Sequence, residues 1–480
     1  MKQPLLLILS LFFILSPAFS QVQIGEDIVG EENEGLGYYT ILSGDGKILA
    51  ILSNNWDQRQ VHILEYKDGE WVKYGEDALG LDFGAPDVIR ITLSEEGTTF
   101  ATINEQIVQV YSYNSGQWIS KGNIERQGYN PSNINLSSNG DILSISFIQI
   151  STTGDPNDTK YVTSVYKHED GIWTQLGEDL IWDSDHGLDY GTLSKNGDIL
   201  LVSGERATDR LLGSLYLGES ILEIYKYQEG RWNLLGDVIS YPVWVRKVSM
   251  SPDGSVVGLA SDTTIFYEYS GGNWVQKGQQ FPSIGGYQYN GDIAISDNGD
   301  IIVVGAYSTE GGDYEAKYRI YEYLESEWVQ AGNTIDQIES SGYGDNVSLS
   351  ADGSALAVGS FLSGMTYVGE GYEAQGLYKG LVRVYSIDGI VGQEDNDSTL
   401  GLIEDNISQV KIYPNPTSDV VETLLPKSIE LKKVAISNLL GQTLLSTTSS
   451  TIDVSSLSQG TYFAEITTNK GRTVKKVIVK

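Results

Sequence analysis

The chain is 480 residues long, 40 % apolar and 10 % aromatic, so it has the length for more than one domain and the side chains for a sizeable core. Its formal net charge of −33 argues against nucleic acid and anionic membrane as partners, because such a surface repels both. It has no cysteine, which excludes disulfides and lipid attachment through cysteine.

In chain order, Met1 to Ser20 comes first, with one lysine, an apolar run from Leu5 to Leu15, and the small residues Ala18 and Ser20 before Gln21. This is the layout of a secretory signal peptide, with cleavage expected between Ser20 and Gln21. No later stretch reaches the roughly 18 apolar residues of a membrane span. A large core lets an exported protein do without disulfides.

Between residues 41 and 359 one phrase recurs seven times: LSGDGKILAI, LSEEGTTFAT, LSSNGDILSI, LSKNGDILLV, MSPDGSVVGL, ISDNGDIIVV and LSADGSALAV. Its glycines are Gly46, Gly97, Gly140, Gly197, Gly254, Gly299 and Gly353. Such a period marks a repeat architecture. The phrase predicts a hairpin, with N-G and D-G where a two-residue type I′ turn wants residues that accept positive φ. A third strand follows with Tyr-x-Tyr on one face, as in Tyr111/Tyr113 and Tyr225/Tyr227. A second turn then delivers a tryptophan, Trp71, Trp118, Trp173, Trp232, Trp274 or Trp328, and a glycine stands four residues after each. The tryptophans are expected to pack against the tyrosines across strands. Small residues on the first two strands and aromatics on the outer two give the taper of a β-propeller blade.

The seventh unit stops at Leu381 to Asp388 without a tryptophan strand. Val22 to Gly30, VQIGEDIVG, matches the segment after each tryptophan (compare VQKGQQF from Val275), so the N-terminus is expected to supply the outer strand of blade seven. Residues 21–390 then form one closed ring. An acidic linker over 391–408 leads to a basic tail, in which Lys411 to Lys480 holds nine Lys and Arg against five Asp and Glu. The short alternating strands of 409–480 predict a small β-sandwich. The expected fold class is all-β: a seven-bladed β-propeller followed by a small β-sandwich C-terminal domain.

Two resemblances add to this. The copy from Gly342 to Gly359, and Phe83-Gly84, Tyr190-Gly191 and Tyr343-Gly344, resemble the FG-GAP repeats of integrin-type propellers. Blades of that family that bind calcium carry a D-x-D-x-D-G loop, which this chain lacks. The nearest approach is Asp183, Asp185 and Asp189, which reads as an acidic surface loop, with calcium as the alternative; no other cofactor is expected. The tail carries Tyr413-Pro414-Asn415-Pro416, Asn438 to Gln442 around Gly441, and Leu457 to Tyr462 around Gly460. With its terminal KVIVK, it resembles the C-terminal sorting domain of type IX secretion substrates in Bacteroidota. That resemblance implies the type IX machinery as a partner, passage across the outer membrane, removal of the domain, and release or fixation at the cell surface.

Catalytic signals are sparse. His62, His168 and His186 belong to different blades or faces, so neither a His-centred triad nor a zinc site is supported. The 64 Asp and Glu have no distinguishing spacing. Asp68-Gly-Glu-Trp71 is shorter than a sialidase Asp-box and reads as a turn. Variable stretches at Ser151 to Lys160, Gly204 to Ser220, Ala306 to Lys317 and Ser360 to Gly380, the last with Tyr367, Tyr372 and Tyr378, are where partners would bind. The sequence therefore reads as a secreted or outer-surface, non-enzymatic binding or adhesion propeller whose partner is an extracellular protein or glycan. The alternatives are a propeller polysaccharide hydrolase or lyase and a structural envelope protein.

Overall fold

The computed structural model describes Ser20 to Lys480 apart from 54–58, 76–87, 150–158, 183–187, 208–217, 243–244, 283–288, 309–314, 337–345, 362–365, 368–373, 376–378, 389–410, 414–416, 418, 426–430, 438–442 and 469–470. Every regular element described is a strand, and the chain divides into two compact units, Met1–Val391 and Gly392–Lys480.

The first unit is a seven-bladed β-propeller. Six blades are continuous in sequence: Tyr39 to Lys73, Val88 to Glu125, Tyr129 to Gln175, Leu188 to Leu234, Lys247 to Gln276 and Tyr289 to Asp336. Each is a four-stranded antiparallel meander, innermost strand first. The seventh takes Asn346–Leu349, Ala355–Ser360 and Leu381–Asp388 from the far end of the unit and Ser20–Gln23 as its outer strand. Gln21 lies opposite Ile387, the register that pairs each tryptophan with its tyrosine elsewhere.

The two turns of a blade differ in kind. Between the third and fourth strands, both turn residues have positive φ: Asp68 and Gly69 at 54° and 94°, Ser115 and Gly116 at 50° and 88°, Glu325 and Ser326 at 50° and 73°. Those are the two-residue type I′ hairpins. The serine phrase is not one, and the sequence expectation is corrected there. Only its glycine has positive φ, Gly46 at 69° for instance, and the loop is closed by the serine itself. Ser43 N–H donates to Ile48 C=O at 2.8 Å, Gly46 N–H to Ser43 C=O at 2.9 Å, and Ile48 N–H to the Ser43 hydroxyl at 2.9 Å. All seven serines repeat the last bond, and all are at most 1 % exposed. An N–H or hydroxyl buried there without a partner would be costly, which is why the phrase needs serine.

The tryptophans pack as expected, each with its ring centroid 4.9 to 5.3 Å from the partner ring, and in blade 3 His168 replaces the tyrosine. His168 lies inside the strand Lys160–Glu169. A second role of the tryptophans joins the blades. Each indole N–H donates to the previous blade, Trp71 to Ile24 C=O at 3.1 Å, Trp274 to Leu235 C=O at 2.7 Å and Trp328 to Lys277 C=O at 2.9 Å. The accepting residue directly precedes the fourth-strand glycine, and the indole lies on that glycine. At Gly278 a Cβ would sit 2.4 Å from Trp328 Cδ1.

At the seam Gln21 replaces the tryptophan. Its amide donates to Ala331 C=O at 3.2 Å, accepts from Asn333 N–H at 3.0 Å and covers Gly332. Asp27 forms a two-pronged pair with Arg383, both contacts at 2.7 Å, that holds its carboxyl below the usual range.

Among the described residues the buried apolar side chains of this unit form seven clusters, each spanning two adjacent blades. The core is thus a set of slabs between sheets. Parts of the variable stretches are strand: Gly204 to Ala207 pairs with Gly218 to Ile221, and Ala306 to Ser308 with Glu315 to Lys317. The second unit has a three-stranded sheet (Lys411–Tyr413, Val420–Leu424, Thr451–Asp453) and a four-stranded one (Leu431–Ser437, Thr443–Thr447, Gly460–Thr468, Gly471–Val479). One buried cluster draws on both, from Val421 and Ile452 to Val434, Ile466 and Val477.

Candidate functional site

An up-and-down meander puts the serine loops and the type I′ turns of all blades on one face of the ring. The loops between second and third strands, and the connections to the next blade, lie on the other. The hairpin face is closed by the main chain. Just after each serine, at the next residue or, for the donor in blades 2 and 5, at the one following, neighbouring blades bond around the axis: Gly44 N–H to Glu95 C=O at 2.7 Å, Glu96 to Ser138 at 3.1 Å, Ser138 to Lys195 at 2.8 Å and Lys195 to Pro252 at 2.6 Å. The circle continues from Asp253 to Asp297 at 3.4 Å, Asp297 to Ala351 at 2.6 Å and Ala351 back to Gly44 at 2.9 Å. It is longest where Pro252 has no N–H to give. Across that gap Lys195 Nζ reaches Asp297 Oδ2 at 2.6 Å, tying blade 4 to blade 6. Burial, and then Asp297, push the Glu95 carboxyl up, although a hydrogen bond from Ser138 opposes this. The other Asp297 oxygen is buried with no hydrogen-bond partner among the described residues.

Towards the loop face the innermost strands expose one edge to the channel, and side chains cap it. In blades 3, 6 and 7 residues two or four before the serine reach the next blade. Asn346 accepts from Thr40 N–H at 2.9 Å, Ser348 from Leu42 at 2.9 Å, Asn135 from Leu193 at 2.8 Å and Asp292 from Val347 at 2.9 Å. Asp292, 9 % exposed, also pairs with Lys247 at 2.9 Å. Arg90 and Tyr39 occupy the same level on blades 2 and 1, four residues before Ser94 and Ser43. The Arg90 guanidinium carbon is 5.1 Å from the Tyr39 ring centroid. Tyr38 meets Tyr39 at 4.8 Å and Phe361 at 5.2 Å, with Arg59 5.7 Å above it. Burial pushes the Tyr38 hydroxyl up, with the nearby arginines working against it.

No catalytic constellation forms among the described histidines. His62 Nε2 is 2.6 Å from the buried Glu34 Oε1, which fastens the N-terminal segment to blade 1. Burial pushes the Glu34 carboxyl up, but hydrogen bonds from His62 and from Glu31 N–H more than offset it, and the net is below the usual range. His168 lies beside Trp173, with its imidazole pushed down by burial and by Lys121. Asp183, Asp185 and His186 lie outside the described residues, and of Asp189 only the backbone, in Leu188–Leu193, is described. Among the described residues no group of three or more His, Asp or Glu is placed to hold a metal ion. Tyr372 and Tyr378 also lie outside; of Tyr367 only the backbone is described, Thr366–Tyr367 pairing with Ala374–Gln375.

In the tail the sorting-motif residues separate by role. Tyr462 is buried, and its hydroxyl donates to Ser458 C=O at 2.7 Å, pinning the loop before its own strand. Gly460 stands near that ring, where a Cβ would meet only ordinary contacts. Tyr413 points outward, 66 % exposed. Pro414, Asn415, Pro416 and Gly441 lie outside the described residues.

The fold and its closed channel define a seven-bladed propeller carried ahead of a separate small β-unit. Residues 411–480, most of that unit, match the family model described as a secretion system C-terminal sorting domain. No curated protein matches the chain. The sorting domain directs the chain through the type IX secretion system to the cell surface or extracellular space, and so engages that machinery. Among the described residues no helix is long and apolar enough to cross a membrane.

Proposed function

We propose that the propeller is a non-enzymatic binding or adhesion module, of FG-GAP type, that takes an extracellular protein or glycan on its loop face. The observation that carries this reading is the asymmetry of the ring. The hairpin face is closed by seven main-chain hydrogen bonds, and both chain ends leave from it, since Ser20 pairs with Asp388 and Ile387 N–H bonds to Ser354 C=O in the last serine loop. The described ends of the variable stretches lie on the opposite face. In this reading residues 1–20 are a cleaved signal peptide, 391–408 a linker and 409–480 a small β-sandwich. The producing cell belongs to the Bacteroidota, whose type IX substrates the tail resembles.

The test is an array of glycans and extracellular proteins probed with the chain from Gln21 to Lys480. Saturable binding that substitutions in the 2–3 loops abolish, and substitutions in the serine loops do not, supports the module. Turnover of a neutral or acidic polysaccharide would replace it with the hydrolase or lyase reading. Inert behaviour in both assays would leave a structural envelope protein. Calorimetry with calcium on the same chain, repeated on Asp183→Ala, decides whether the acidic loop takes a metal.

A further inference from the structure

Three serine loops share the pattern Ser-x-Asn-Gly-Asp, and one of the three is bonded differently. They are Ser137 to Asp141 in blade 3, Ser194 to Asp198 in blade 4 and Ser296 to Asp300 in blade 6. We propose that Asn196, in blade 4, is a site of spontaneous deamidation to aspartate and isoaspartate in the folded protein, and that Asn139 and Asn298 are shielded from the same reaction by lysines of the neighbouring blades.

All three asparagines are exposed, and in all three loops the glycine N–H donates to the serine C=O, at 2.9, 2.8 and 3.0 Å. The side-chain amides differ. Asn139 accepts from the Ser137 hydroxyl at 3.0 Å and from Asp141 N–H at 3.0 Å, and donates to Asp141 Oδ2 at 3.1 Å. Asn298 repeats the set with Ser296 and Asp300, at 3.1, 3.1 and 3.2 Å. In blade 4 the Ser194 hydroxyl donates to Asp198 Oδ1 at 3.2 Å instead, and among the described residues the Asn196 amide has no hydrogen-bond partner. The cause lies one blade back. The residue before the fourth-strand glycine is Lys121 in blade 2 and Lys277 in blade 5, and each reaches the aspartate of the next blade's loop, Asp141 Oδ1 at 2.7 Å and Asp300 Oδ1 at 2.9 Å. The second carboxylate oxygen is then left for the asparagine amide. Blade 3 has Leu176 there, which offers no cation. Asp198 turns to Lys226 of its own third strand at 3.5 Å and to Ser194, and the asparagine loses its partners.

Deamidation requires the Gly197 nitrogen to reach Asn196 Cγ. The N–Cγ bond forms, the Cγ–Nδ2 bond breaks, and ammonia leaves as the Gly197 N–H proton joins the departing amide group; water then opens the five-membered imide to aspartate or isoaspartate. Glycine, lacking a Cβ, leaves its nitrogen open to this approach. A side chain pinned by three hydrogen bonds must release them before it can swing to the attack geometry, whereas Asn196 has only the main-chain bond of Gly197 to break. The fourth Asn-Gly pair, Asn290-Gly291, lies in the strand Tyr289–Ile295 and not in a serine loop. The product bears on the ring itself. It adds a negative charge, and as isoaspartate one more main-chain carbon, directly after Lys195, whose N–H, C=O and ammonium hold blade 4 to blades 5, 3 and 6.

The test ages the folded chain from Gln21 to Lys480 in mildly alkaline buffer, digests it and follows the three loop peptides by mass spectrometry, with isoaspartate separated by retention time. Asn196 is expected to convert about tenfold faster than Asn139 or Asn298. In denaturant the three rates should converge, because the bonds are gone and Asn-Gly-Asp is common to all three. Lys121→Leu, which frees Asp141, should speed Asn139 several-fold in the folded chain and leave Asn298, three blades away, unchanged. Similar rates at the three sites in the folded chain, or an Asn196 lead that persists undiminished in denaturant, overturns the proposal, and so does an Asn139 rate untouched by Lys121→Leu. The folded and denatured rankings need no variant, so a substitution that unfolds the ring, seen as Asn298 accelerating along with Asn139, does not blunt the test.

Discussion

The two faces of the ring are built by opposite rules. On the hairpin face every blade repeats three devices: a buried serine closing its loop, one left-handed glycine, and a main-chain bond to the next blade. On the loop face the connections range from the two-residue turn at Glu105 to the 20 residues between Ser360 and Leu381. A face whose backbone is satisfied by its neighbours has no freedom left to vary, while loops held only at their ends can change without breaking the ring. Stability belongs to the first face and recognition to the second.

That division can be broken in several places. The largest effect is expected from removing Gln21 to Gly30, which takes the outer strand from blade 7, the Gln21 cover of Gly332 and the Asp27–Arg383 pair together. The whole ring should then melt on the order of 10 °C lower in one cooperative step. A calorimetric trace unchanged by the deletion would mean that the seam does not hold the ring.

Next come the glycines of the hairpin face. Gly299→Ala places a Cβ 2.2 Å from Val256 Cγ2 at a φ of 67°, and should cost about 3 kcal/mol in chemical denaturation. Gly230→Ala has the same strain in φ, at 82°, with nothing within 4 Å, and should cost about 1 kcal/mol. Equal losses would show that conformation alone, and not contact between blades, fixes these glycines. Ser350→Ala strands the buried Ala355 N–H and should cost about 2 kcal/mol by the same measurement. A cost near zero would remove the serine from the account of the loop.

The smallest effect is electrostatic. Glu95 holds its proton more tightly folded than unfolded, so the folded state binds more protons above the ordinary carboxyl pKa of 4.5, and stability falls as pH rises through the raised value. Glu95→Gln should therefore raise the neutral-pH midpoint by roughly 1 °C, discounted for partial exposure, and flatten that slope. A lower midpoint at neutral pH would show that the ionised carboxylate is favourable where it stands.

Much of this architecture is legible in the chain before any coordinates. The serine phrase, the Tyr-x-Tyr strand and the tryptophan mark strand order inside a blade, because hairpin geometry and burial on a sheet are local. The match of Val22 to Gly30 with the segment after each tryptophan points to the shared seventh blade by the same local grammar. The tail motifs are local too. Turn type was misassigned: N-G and D-G read as type I′, yet the bond from the serine hydroxyl to the N–H five residues on makes a longer loop. The true I′ turns use Asp-Gly, Ser-Gly and even Glu-Ser, which carry a weaker signal.

Contacts between blades were out of reach of that grammar. Nothing in Trp328 announces that its indole bonds to Lys277 C=O, 51 residues earlier, or that Gly278 must be bare to admit it. The fixed spacing of tryptophan and glycine was visible, but its cause lies in the neighbouring unit. The polar residues before each serine were visible as well, in NVSLS and NINLS, without the free inner edge that explains them.

The sequence alone determined how many blades there are, the order of strands within a blade, how the ring is closed and where the chain is sent, since all four follow from short-range patterns repeated or matched along the chain. Only the tertiary structure decided which face is shut and which side chains join one blade to the next. Those depend on residues 39 to 356 positions apart being brought within bonding distance, and no local pattern encodes that proximity.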